Sequence, residues 1–223
     1  MTLQTLLIGL TLTGLVLIPF EAKVTFEHNP NGSASRSFKF NHLPAPVKDD
    51  AGASAKLTLV DGEPDPNGAE LSALNDGLLP TDEDEPAANF FFNAGSPGGR
   101  FKMDFGKVIE VAQVNTYSWH PNTRGPQLYK LYGSDGTDPK FNDSPKRGVD
   151  PVSCGWQFIT TVSTLGKDGD DGGQYAVNIA APNANLGKYR YLLFDCYVTE
   201  LNDDFGNTFY SEVDVIEQSA VSR

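Results

Sequence analysis

Short apolar runs, each closed off by turn residues, recur along most of this chain. They are Leu57–Val60, Phe90–Phe92, Arg100–Phe105, Val108–Thr116, Leu128–Ser134, Trp156–Ser163, Tyr175–Ile179, Tyr189–Val198 and Ser211–Glu217. Several alternate. In Phe101-Lys102-Met103-Asp104-Phe105 the apolar residues fall on one face of a strand and the polar ones on the other. The run Tyr189–Val198 is almost continuously apolar, as a strand inside a sandwich core would be. No segment sustains a 3.6-residue stripe over three turns; only Glu70–Leu74 hints at a helical turn. With 22 Gly and 15 Pro, long helices are disfavoured. Eight or nine short strands between Gly, Pro, Asn and Asp turns predict an all-β chain, an antiparallel β-sandwich over residues 57–217 with a tail at 218–223.

The N-terminal part reads differently. Residues 1–22 are apolar and uncharged up to Glu21, too short and too diluted by Thr for a clear span. A signal peptide is the expectation, with an uncleaved anchor or a buried segment as the alternatives. The segment lacks a basic start, and Phe20 before Ala22 matches a small-residue cleavage site poorly. Residues 23–56 hold one strand-like patch, Val24–Phe26, amid Asn, Pro, Gly, Ser and Ala, and read as an arm or linker.

Charge narrows the function. A net charge of −12 argues against nucleic acid and against anionic lipid, leaving no membrane contact beyond an N-terminal anchor. The chain contains no G-x-S-x-G, H-E-x-x-H, phosphate-binding loop or dinucleotide fingerprint. Two cysteines and three scattered histidines give little material for zinc. Cys154 and Cys196 lie at or beside predicted strands, and export would permit a disulfide between them. The run Asp168–Gly172 looks superficially like a calcium loop but lacks the closing glutamate, so it reads as a hairpin turn.

The order of several words along the chain is more specific. Leu74-Asn75-Asp76-Gly77 precedes an acidic loop. Phe101–Lys107, then Tyr129–Gly136 and Trp156, are followed by Tyr189–Phe194, and Phe209–Glu217 closes the series. This succession resembles the discoidin or coagulation-factor-5/8 type C family, which shares its galactose-binding-like jelly roll with family 32 carbohydrate-binding modules. The resemblance covers residues 57–217. It implies two packed antiparallel sheets with ligand loops at one end, and a function of binding glycans, lipids or proteins without catalysis. The chain departs from the family in two ways. Neither cysteine sits at a domain end, and residues 135–156 form a long loop, read as a decoration or a partner surface.

The resemblance also implies a calcium ion near the acidic loop, completed by a carboxylate from the last strand. Asp76 and Glu212 match those places, with Thr81 and Asp82 as further candidates. Irregular oxygen-rich loops are what Ca²⁺ requires. Asp76 would otherwise make a simple turn before Gly77.

For the ligand, the stretch from Tyr117 to Pro126 and the loop before the final strand supply the candidates Trp119, His120, Asn122, Arg124, Phe205 and Asn207. Aromatic faces pack on sugar C–H groups while Arg, Asn and His read hydroxyls. Trp119 serves equally well as a core residue, and Arg124 as a buried tie to Asp104 or Glu212. The leading expectation is an exported, secreted or cell-surface, non-catalytic module for a glycan or polysaccharide. Its rivals are an adhesive module for an extracellular protein and an enzyme built on the acidic loops.

Overall fold

The computed structural model describes residues 21–166, 172–182, 185–199 and 207–218. Asp168–Asp171 and Phe205 lie outside this set. The described residues form eight strands: β1 (Lys23–Pro30), β2 (Lys56–Asp61), β3 (Gly99–His120), β4 (Leu128–Ser134), β5 (Gln157–Ser163), β6 (Gly173–Ala180), β7 (Gly187–Cys196) and β8 (Tyr210–Glu217). Every pairing is antiparallel. The sandwich expected from the alternating runs is therefore the fold.

β3 links the two layers. Its first half pairs β2 and β7, with Phe101 opposite Leu59 and Phe194. Its second half pairs β6 and β8, with Asn115 opposite Asn178 and Asp214. Between them the register slips from Asp104 to Ile109. There Gly106 adopts φ 71°, which a side chain would strain, and Lys107 and Val108 face solvent. One layer thus runs β2-β3-β7-β4-β5 and the other β1-β6-β3-β8. Between them Phe101, Met103, Leu131, Leu192 and Phe194 meet Val114, Val177, Ile179, Val213 and Val215 in a shared core. At about 25 cal/mol per Å² of apolar surface removed from water, this burial is the main favourable term.

Three expectations change. Residues 23–56 are not a loose linker. β1 pairs β6 along its whole length, from Lys23–Ala180 to Pro30–Gly173. The Glu27 carboxylate accepts the backbone N–H groups of Asn41, His42 and Leu43 at 2.8, 2.6 and 2.7 Å. The sequence signal was short because Thr25, Glu27 and Asn29 are polar.

The 135–156 loop is not a free decoration. Arg100 and Lys102 alternate outward from the core, yet each is only 5% exposed because this loop covers them. Arg100 donates to the carbonyls of Pro145, Lys146 and Val149 at 3.0, 3.0 and 2.9 Å and pairs with Asp195 at 2.9 Å. Trp156 packs with Val60, Tyr132, Tyr191 and Leu193, with Phe141 against them, as a second small core.

Cys154 and Cys196 are both free thiols. Cys196 stands on β7 opposite Gly99 and Tyr129 inside the main core. Cys154 closes a short turn in the covering loop and packs with the second core. Burial pushes both thiols up, away from reactivity.

Candidate functional site

β3 ends at His120, and a tight turn follows. Gly125 N–H donates to Asn122 O at 2.8 Å, and Ser118 Oγ donates to Gly125 O at 2.6 Å. A Cβ at Gly125 would lie 3.0 Å from the His120 and Gly173 carbonyls, so the turn needs a glycine-sized residue. The turn delivers Arg124 beside the entrance to β8, where Phe209 N–H donates to Arg124 O at 2.9 Å.

There Phe91 and Phe209 stack at 3.9 Å between centroids. The Arg124 guanidinium lies over both rings, 4.8 Å from Phe209 and 5.7 Å from Phe91. A guanidinium over aromatic faces is held in place by the ring quadrupole. His120 meets the Phe209 ring edge-on at 4.5 Å. Its Nδ1 accepts Asn122 N–H at 3.2 Å, which leaves the proton on Nε2. That Nε2 faces the exposed Asp84 carboxylate at 3.9 Å. Burial, reinforced by the Arg124 charge, lowers the His120 pKa to about 4. The imidazole is therefore neutral at physiological pH and contributes a dipole, not a charge.

The candidates separate on this geometry. His120, Arg124 and exposed Asn122 gather at one end of the sandwich. Trp119 does not join them: it is 5% exposed and lines a small pocket with Phe40, Leu79 and Pro80. Asn207 is buried too, and its amide donates to the carbonyls of Asn93 and Ser96 at 2.9 and 3.3 Å. It ties two loops and has no capacity left on that side for a ligand. Arg124 is no tie to Asp104, which pairs with Arg190 at 2.9 and 3.2 Å. Sequence reasoning missed Asp84, Phe91 and Phe209 as neighbours of this site. The signals were the acidic run and the triple Phe, but only the fold brings them to Arg124.

The metal candidates split likewise. Glu212 is buried on β8 and accepts Gly77 N–H at 2.7 Å and Val213 N–H at 3.1 Å. Desolvation, with the charges of Asp214 and Asp76 added, raises its pKa to about 8. Asp76 accepts Leu78 N–H at 2.9 Å in the turn beside it. Thr81 and Asp82 turn elsewhere: their N–H groups donate to Glu85 at 2.6 and 3.3 Å. Among the described residues no three His, Cys, Asp or Glu side chains form a metal cluster. Glu212 is a buried carboxylate whose charged neighbours, Asp214 and Asp76, are negative, and Ca²⁺ takes six to eight oxygens, more than this pair supplies. Thr81 and Asp82 do not fit as side-chain partners of that pair.

No family model and no curated protein matches the chain. Solved structures do. The lectin domain of lectinolysin, complexed with Lewis B antigen, is 12% identical at a TM-score of 0.48, covering 77% of this chain and 98% of its own. A GH31 CBM32-2 structure bound to GalNAc is 8% identical at 0.47, covering 74% and 97%. SpGH29 is 12% identical at 0.47 over 78% of this chain, which spans only 29% of that protein's length. The first two are of the class the sequence resembles. At scores below 0.5 these likenesses settle neither fold detail nor function, and the strand pairing defines the sandwich by itself.

Proposed function

We propose that the chain is a non-catalytic module that binds a glycan at the loop end built by His120, Asn122 and Arg124, with Asp84 at its edge. The observation that carries this reading is the Arg124 guanidinium seated on the Phe91–Phe209 stack beside a neutral imidazole. A guanidinium edge, an imidazole N–H, the exposed Asn122 amide and the exposed Asp84 carboxylate bring donors and acceptors together as a reader of vicinal hydroxyls would. Export to the surface or the medium follows from the apolar 1–22 segment. Calcium at Asp76 and Glu212 acts as a staple for the 76–85 loop and takes no part in chemistry.

A glycan array probed with the purified chain tests the reading: hits lost in Arg124→Ala, with the fold intact, support it. An empty array with an unchanged circular dichroism spectrum overturns it. Leu78 and Leu79, 53% and 37% exposed on the adjoining loop, favour an adhesive module for an extracellular protein as the second reading. Calcium has its own check. Millimolar Ca²⁺ should raise the melting temperature and EDTA should reverse the rise; no shift, or one that survives in Asp76→Asn, removes the ion.

A further inference from the structure

The outer face of the β1-β6-β3-β8 layer carries polar side chains set side by side by strand register. Thr25 stands opposite Asn178, Asn178 opposite Asn115, and Asn115 opposite Asp214. The two-residue period places Gln113 on the same face. Polar residues on a sheet's outer face are ordinary, but here residues 41–47 cross part of it as a wall. Glu27 grips that segment through the three N–H groups of residues 41–43. Tyr117 Oη donates to Pro44 O at 2.8 Å, and Val47 N–H donates to Asp214 Oδ1 at 3.2 Å.

Between wall and sheet lies a trough of about 440 Å³, lined by Thr25, Glu27, His42, Pro44, Gln113 and Asn178 among others. That volume falls in the ~300–1,000 Å³ range of small-molecule sites. The floor is pre-organised. Gln113 Nε2 and Asn178 Nδ2 both donate to Asn115 Oδ1, at 2.7 and 2.9 Å. Among the described residues, the amide oxygens of Gln113 and Asn178 accept no hydrogen bond. The Glu27 carboxylate is already engaged by the wall, and that engagement holds it below its usual range against the opposing effect of desolvation. The lining thus sets hydroxyl, amide and imidazole groups beside the apolar faces of Phe26, Leu43 and Pro44, with its one carboxylate engaged by the wall, and this mix of polar groups and apolar faces matches a neutral, hydroxyl-rich ligand.

We propose that this trough is a second saccharide site, sharing no residue with the loop end. Two sites on one module would hold a polysaccharide bivalently, and avidity then exceeds either affinity by about 10²–10⁴ when the geometry permits both to engage.

The test uses the full chain. The strongest hit from an array of neutral and acidic glycans is titrated while the side-chain amides of Gln113 and Asn178 are followed by NMR. The expected result is that both amides shift, and shift equally in Arg124→Ala. Thr25→Arg fills the trough from an exposed edge position opposite Asn178 and leaves the Gln113–Asn115 hydrogen bond in place. It should abolish those shifts and weaken polysaccharide binding at least tenfold at an unchanged melting temperature. Amides that stay still at saturation, or that shift identically in Thr25→Arg, overturn the trough site and leave the loop end standing. Amide shifts with an Arg124→Ala variant of wild-type affinity overturn the loop end and leave the trough. An array without hits overturns both.

Discussion

Arg124 is the residue on which the loop-end reading concentrates. Its side chain is half-buried, positioned by two rings and by a backbone bond through its own carbonyl. Arg124→Ala removes the donors and leaves that backbone bond, so binding should fall far more than stability. Hydrogen bonds to a charged group contribute about 1.5–3 kcal/mol, so the expected loss is roughly 10–100-fold in Kd, read by titration calorimetry. An intact affinity would place the ligand elsewhere. His120 makes a separate prediction. Its folded pKa near 4 keeps the ring neutral down to mildly acidic conditions. Affinity should stay flat from pH 8 to pH 5 and drop only near pH 4. A midpoint near 6.5 in the binding profile would show an exposed, ordinary histidine. These residues were legible in sequence because a polar, aromatic loop between two strands is unusual. Phe91, Phe209 and Asp84 were not, because their roles come from pairs more than 25 positions apart in sequence. Trp119 was ambiguous for a physical reason: an indole suits a buried position and a sugar equally, and only its burial in the fold decides.

Among the elements, the covering loop shows how a charge pair organises a sandwich face. Arg100 on β3 and Asp195 on β7 are register partners, both buried, and Asp195 also accepts Tyr197 Oη at 2.8 Å. Arg100→Met leaves buried Asp195 with only the more distant Arg147, at 3.9 Å, and releases three carbonyls of the loop. Removing one partner of a buried pair costs about 3–5 kcal/mol, so the urea midpoint should fall by that equivalent. The double variant Arg100→Met, Asp195→Leu should recover part of the loss. A single variant of wild-type stability would mean that the loop holds without this anchor. The strands themselves were largely legible. Leu128–Ser134 coincides with β4 because Gly133 and Ser134 mark its end in sequence and structure alike. β3 read as two runs because Gly106 and Lys107 interrupt the alternation, whereas backbone pairing continues through the bend. β1 read as a patch because an edge strand needs fewer apolar residues than a central one.

At the scale of the whole molecule, the acidic balance has an interior component. Glu212 and Asp214 lie on one strand, both buried, with folded pKa values raised to about 8 and about 7, chiefly by desolvation. In the unfolded chain they titrate near 4.5 and 3.8. The folded state therefore holds more protons than the unfolded state between those limits. Stability is fully present below the unfolded values and is lost as pH rises through the folded ones. His120 runs the other way. Its folded pKa is depressed from 6.5, so its contribution is present above that value and is lost as pH falls toward 4. The two effects oppose each other at acidic pH, but above pH 6.5 only the carboxylates act. Without added metal, stability should therefore decline from pH 6.5 to pH 8.5, by up to roughly 1.4 kcal/mol per pH unit for each titrating group. Glu212→Gln keeps the shape and cannot ionise, so its decline should be shallower over the same range. Chemical denaturation at half-unit pH steps in EDTA measures both slopes. A flat wild-type profile, or equal slopes in the two proteins, would mean that Glu212 is already ionised in the folded chain at pH 6.5.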